Sequence, residues 1–217
     1  SVEGNGTIPL NTWTHVAVSF DAFKNDLRFY INGTLDRQVT TPQTYLAYGY
    51  FDLRIGADRQ GGSPDFYWTG QLDEVRIWAM NIDFSTAEGQ LYRIPLAMTG
   101  GRYGRWLRGG WRFNGSAQSI AGTTDGAPVG TVLYPQTPDP GHYPRIGLHV
   151  MNGQDMGDHV TVQHRSMLSL TQQFTLECWV RPAATGGHAQ YQTFITKGSY
   201  SASSWHYWLG LNKSNGK

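Results

Sequence analysis

The residues that could do chemistry fall into three groups: carboxylates on strands, one acidic loop, and aromatics gathered in Gly- and Ser-rich connections. Retaining cleavage of a glycosidic bond needs two carboxyl groups about 5 Å apart on either side of it. Glu177 has no acidic neighbour at two-residue spacing, and Asp73 and Glu74 are adjacent, so a regular strand turns them to opposite faces. There is no Gly-x-Ser-x-Gly elbow, His-Glu-x-x-His helix, cysteine pair or phosphate-cradling loop, and a non-catalytic protein is expected. His15 and His159 fall within strands and read as packing histidines. The loop Asn152-Gly-Gln-Asp155-Met-Gly-Asp158 offers carboxylate and carbonyl oxygens, the hard donors calcium takes. Turn stabilisation by the same aspartates is the competing reading.

Aromatics cluster at Tyr45, Tyr48 and Tyr50, at Phe66, Tyr67 and Trp68, and at Tyr200, Trp205 and Tyr207. An exposed ring gives apolar area with a polar edge, which suits sugar faces and protein interfaces alike. Tyr48, Tyr50, Tyr67, Trp68, Trp205 and Tyr207 are the ligand-binding candidates, with core filling as the alternative. Asn5, Asn32, Asn114 and Asn212 satisfy the N-glycosylation rule, although Asn-Gly at three of the four sites also suits ordinary turns.

Seventeen Lys+Arg against 16 Asp+Glu, with no basic run, give no electrostatic footprint for nucleic acid or an anionic membrane. Neither a nucleic-acid partner nor membrane insertion is expected, since no apolar stretch approaches the roughly 18 residues of a spanning helix. A charged fraction of 15%, 13% aromatics and 27 Gly favour strands and turns over helices. The lone Cys178 cannot form an internal disulfide and reads as a small apolar strand residue.

Apolar alternation marks strands at Thr14–Phe20, Leu27–Ile31, Phe51–Ile55, Gln71–Trp78, His159–Gln163, Phe174–Val180, Thr193–Thr196 and Tyr207–Leu211. Asn32-Gly33 predicts a two-residue hairpin turn. Ser85-Thr-Ala-Glu88 is a capping-box pattern and predicts one short helix through Tyr92. The Gly- and Arg-rich stretch 94–110 reads as a linker, and Gly122–Pro144 as a long irregular connection. Strand Trp205–Leu211 is followed by an Asn215-Gly216 turn and then Lys217, and both termini look cut inside a fold.

Several segments resemble the laminin-G-like, concanavalin A-like jelly roll, pentraxins included. They are Asn11-Thr-Trp-Thr-His-Val-Ala-Val-Ser-Phe20, Leu27-Arg-Phe-Tyr-Ile-Asn-Gly33, Leu53-Arg-Ile-Gly56 and, most specifically, Thr69-Gly-Gln-Leu-Asp-Glu-Val-Arg-Ile-Trp78, which resembles the closing strand. Gly110-Trp-Arg-Phe-Asn114, Met151-Asn-Gly-Gln-Asp-Met-Gly-Asp-His-Val160 and Phe174-Thr-Leu-Glu-Cys-Trp-Val-Arg-Pro182 resemble the first three strands. Residues 1–95 thus resemble the second half of such a domain, 96–108 a linker, and 109–217 the first half. The halves sum to about one sandwich, by permutation within one chain, by swapping between copies, or as pieces of a tandem array.

The resemblance implies an all-β antiparallel jelly-roll sandwich and a structural calcium held by Asp73 with Asp155 or Asp158. It also implies a non-catalytic recognition or adhesion module, extracellular or at the cell surface, that binds carbohydrate or matrix protein. The alternatives are a subunit that assembles with copies of itself into a filament or sheath, and, more weakly, a glycoside hydrolase or its binding appendage.

Overall fold

A computed structural model describes the chain outside residues 1, 43–45, 47–48, 61–62, 87–88, 90–92, 94–103, 122–123, 135, 138–144, 147, 151–156, 184–190 and 199–205. At 59–60, 63–65, 136–137, 145–146 and 148–150 it describes the backbone alone. Period-two alternation produces what it predicts, two antiparallel sheets packed face to face. The larger sheet runs β10 (Val132–Leu133), β13 (Leu148–Val150), β7 (Gly70–Trp78), β15 (Gln173–Pro182), β1 (Thr14–Asp21), β2 (Asp26–Ile31) and β3 (Thr34–Thr40). β8 (Leu107–Trp111) pairs with β7 as well, along Val75–Trp78, whereas β13 takes Gly70–Leu72. The smaller sheet runs β17 (Tyr207–Asn212), β16 (Tyr191–Lys197), β4 (Leu53–Ile55), β14 (His159–Val162) and β9 (Gly126–Val129). Two short hairpins stand apart, β5 (Asp58–Gln60) with β6 (Ser63–Asp65), and β11 (Gln136–Thr137) with β12 (Arg145–Ile146).

Residues 14–78 and 107–212 interlace in both sheets. β7 lies between β15 on one edge and β8 and β13 on the other, β1 pairs along β15 from Thr14 opposite Val180 to Asp21 opposite Gln173, and β4 lies between β14 and β16. The core between the sheets therefore mixes both stretches: Val16, Val18, Leu53, Ile55, Val75 and Ile77 pack with Trp111, Val160, Leu176, Cys178, Val180 and Ile195. Burial pushes the Cys178 thiol up, so it is an inert apolar residue here.

The β2–β3 turn is the two-residue type that the sequence predicts, with φ 49° at Asn32 and 75° at Gly33. The expected helix differs. Asp83, not Ser85, accepts the hydrogen bonds, with Ser85 N–H at 3.0 Å and the Ser85 hydroxyl at 2.5 Å both donating to its Oδ1. Residues 84–86 form a turn, 87–88 and 90–92 of the expected helix lie outside the described residues, and Gly104–Trp106 and Ser166–Leu168 are short 3-10 turns. The expected linker 96–108 runs into β8 at Leu107, where a second edge of β7 is available to pair. β9 and β10 likewise add short strands to a stretch expected to be irregular. Because Gly33 sits at φ 75°, Gly33→Val should cost about 1–3 kcal/mol. Urea unfolding should show this as a lower midpoint with an unchanged slope.

Candidate functional site

The outer face of the larger sheet buries charge. Glu177, on β15, accepts from Trp78 Nε1 at 2.7 Å through Oε1 and meets His15 Nε2 at 2.8 Å through Oε2. Arg76 reaches Glu177 Oε1 at 3.5 Å and donates to Glu74 Oε2 at 2.8 Å, and Arg112 approaches Glu74 Oε1 at 3.5 Å. His15, Arg76 and Glu177 are all within 1% of complete burial. Asp73 and Glu74 do not alternate as a regular strand requires. One extra residue of β7 is accommodated opposite Cys178, and Glu74 takes φ 49°. Leu72 and Val75 then fill the core while Glu74 bends to Arg76.

Residues 79–86 roof this network. Ile82 N–H donates to Thr175 Oγ1 at 2.9 Å, Thr175 Oγ1 donates to Met80 O at 2.8 Å, and Arg28 pairs with Asp83 at 3.0 Å. Phe84 covers His15 with ring centres 5.2 Å apart. Burial alone would raise the Glu177 carboxyl; the Arg76 charge and the bonds from His15 and Trp78 outweigh it and hold it below the ordinary carboxylate range. Two carboxylates on one arginine, roofed by apolar rings, make a structural clamp that no substrate reaches.

The outer face of the smaller sheet carries half-buried aromatics instead. Phe66, Tyr191 and Trp208 stand edge to face in a row, 6.4 and 6.3 Å between successive ring centres. Trp208 Nε1 donates to Thr193 Oγ1 at 2.9 Å, and a Cβ at Gly210 would meet the indole at 2.4 Å, so the glycine makes room for the ring. At one end of the sandwich, the buried Lys197 ammonium donates to Phe51 O and to His164 Nδ1, the latter at 3.0 Å. An ammonium only donates, so the His164 proton sits on Nε2. Burial holds Lys197 down to about 8. Burial, together with the Lys197 charge, holds the nearby His206 down to about 4.

Residues 1–83 match the family model Laminin_G_3, described as the concanavalin A-like lectin/glucanases superfamily. The chain carries a laminin-G-like segment. No curated protein and no solved structure matches it. The laminin-G-like segment supplies β1, β2, β4 and β7, and thus His15, Glu74, Arg76 and Trp78 of the clamp. The match and the two antiparallel sheets give the concanavalin A-like sandwich.

The sequence candidates are distributed differently from expectation. Tyr50 is exposed, 79%, with its ring edge to face with His164 at 5.2 Å. Tyr67, Trp68 and Tyr207 are core residues: Trp68 abuts Phe194 at 4.6 Å, and Tyr207 donates its hydroxyl to Leu168 O at 3.0 Å. Tyr45, Tyr48, Tyr200 and Trp205 lie outside the described residues, as does Asp155. Asp73 accepts from Glu74 N–H and Asp158 from Thr131 N–H, both at 2.7 Å through Oδ1. Among the described residues no three His, Cys, Asp or Glu side chains are grouped to hold a metal, and residues 151–156 of the implied calcium loop lie outside them. Asn5, Asn32 and Asn114 are exposed, whereas Asn212 is 7% exposed and donates Nδ2 to Glu3 Oε1 at 2.7 Å, which leaves no room for a glycan there. His159 is a packing residue, with Nδ1 2.7 Å from Gly157 O.

Strand alternation carries a signal for Trp208, because Tyr207, Leu209 and Leu211 face inward and the residues between them must face out. Phe66 had no such signal. Removing the clamp carboxylate should be severe: Glu177→Ala takes from the buried Arg76 one of its two carboxylates and from Trp78 Nε1 its acceptor, and should lose about 3–5 kcal/mol in denaturant melts. The His206 shift has a definite sign. Its folded value near 4 lies below the ordinary 6.5, so the unfolded chain takes up a proton first and stability falls as pH drops from 6.5 to 4. His206→Gln should flatten that part of a melting-temperature profile, and an unaltered slope would contradict the assignment.

Proposed function

We propose that this protein is a non-catalytic recognition module of the extracellular space or cell surface that binds glycan through the Phe66, Tyr191 and Trp208 face. The observation that carries the reading is the row itself: three rings on one sheet face, each keeping part of its surface in water, with the indole braced by Thr193. Sugar rings offer C–H faces that stack on such rings and hydroxyls that bond to their polar edges. Arg54 and Thr161 lie opposite each other in register on the adjoining strands of the same sheet and extend the row with polar groups. The buried state of Glu74 and Glu177 supports a binding role over hydrolysis.

Tryptophan fluorescence titration against an array of soluble oligosaccharides tests the proposal. Trp208→Ala and Tyr191→Ala should each weaken binding about tenfold or more with the melting temperature nearly held. Equal affinity in both variants would move the ligand elsewhere, and binding confined to proteins would replace glycan with a protein partner. A structural calcium at the Asn152–Asp158 loop belongs to the proposal and predicts a melting temperature several degrees higher in calcium than in chelator. Equal values would remove the ion from it.

A further inference from the structure

At the end of the sandwich beside Lys197, three bases meet residues 49–52, which lead into β4. A Cβ at Gly49 would meet His206 Nε2 at 2.7 Å, so the glycine lets that imidazole lie against the main chain. Tyr50 stands edge to face with His164 at 5.2 Å, and Phe51 O accepts from the Lys197 ammonium. Asp52 Oδ1 accepts from the His164 N–H at 2.8 Å. Lys197 also donates to His164 Nδ1 at 3.0 Å, which ties the chain after β14 to β16 and closes the cluster. The sheet itself is held separately, since β4 pairs with both β14 and β16 along Leu53–Ile55.

The chemistry of one bond makes this cluster sensitive to acid. An ammonium only donates, so the Lys197 bond exists only while His164 Nδ1 keeps its lone pair. A proton on that nitrogen would set two donors and two like charges 3.0 Å apart, beside a fully buried lysine where water screens them poorly. The titratable and charged groups described around His164 are Lys197 on β16, His206 before β17, and Tyr50 and Asp52 before β4; Arg165, next in the chain, is exposed. Asp52 is the one carboxylate of that group and faces Lys197 as well, so it cannot offset a second cation without giving up the first. We propose that protonation of His164 is a release, which breaks its bond to Lys197 and frees residues 49–52 from the end of the sandwich while both sheets stay folded. The proposal is independent of the glycan reading, which uses none of these residues.

Native-state hydrogen exchange on the full chain between about pH 8 and 5 tests it, read as protection factors so that the intrinsic pH dependence of exchange is divided out. The amide of residue 164, which donates to Asp52, reports the cluster, and that of Ala22, which donates to Gln172 O at 2.8 Å, reports the remaining fold. Protection at residue 164 should fall about tenfold or more in acid while protection at Ala22 is held. His164→Asn, with its fold checked by circular dichroism, offers Lys197 an acceptor that takes no proton in this range and should remove the fall; His206→Gln should leave it in place. A flat profile in the unaltered chain, or an equal fall in His164→Asn, would overturn the release. So would a parallel fall at Ala22, which would mean global unfolding, or loss of the fall in His206→Gln, which would give the switch to the other histidine.

Discussion

A buried carboxylate at the middle of the larger sheet constrains the rest of the structure. Glu177 cannot stay ionised in that position without its partners, and these come from both neighbouring strands: His15 from β1, Arg76 and Trp78 from β7. The strand order β7–β15–β1 is therefore the order that satisfies the charge. The extra residue at Glu74 brings a second carboxylate to Arg76, and residues 79–86 must then lie over the face to keep water out. Breaking such a group costs far more than forming it contributes, so the clamp enforces one arrangement more than it adds stability.

The strands were legible because half-buried antiparallel sheets write their geometry in period two. β1, β2, β7 and β15 were readable within two residues at each end. β3 was not, since Thr34–Thr40 is largely solvent-facing and lacks the apolar alternation. At Ser85, where a helix was expected to start, Asp83, two residues earlier, offers a stronger acceptor and turns the chain first. Short edge strands such as β8 and β9 exist because a neighbour has an open edge, which no window of sequence displays.

The candidate site was legible in kind more than in place. Tyr67, Trp68 and Tyr207 are buried although their composition matches exposed rings, because Gly/Ser-rich flanks do not say which way a residue on a strand faces. Their neighbours Phe66 and Trp208 take the outward positions. The clamp was invisible for another reason. Carboxylate spacing along one strand says nothing of contacts between strands, and Glu74 and Glu177 meet the same arginine from 103 residues apart in sequence, the difference of their two numbers. Lys197 and His164 meet in the same way, across two strands that the sequence does not connect.

Residues 14–78 and 107–212 both contribute strands to each sheet, and the clamp depends on their doing so within one molecule. Paired cysteines at Arg54 and Thr161, opposite each other on β4 and β14, test this most directly, with Cys178 buried and silent. Oxidation at low protein concentration should give a monomer whose disulfide lies within one chain, shown by its unchanged mass and faster migration on a non-reducing gel. Disulfide-linked dimers as the main product would mean that the sandwich is completed between chains and would contradict the account.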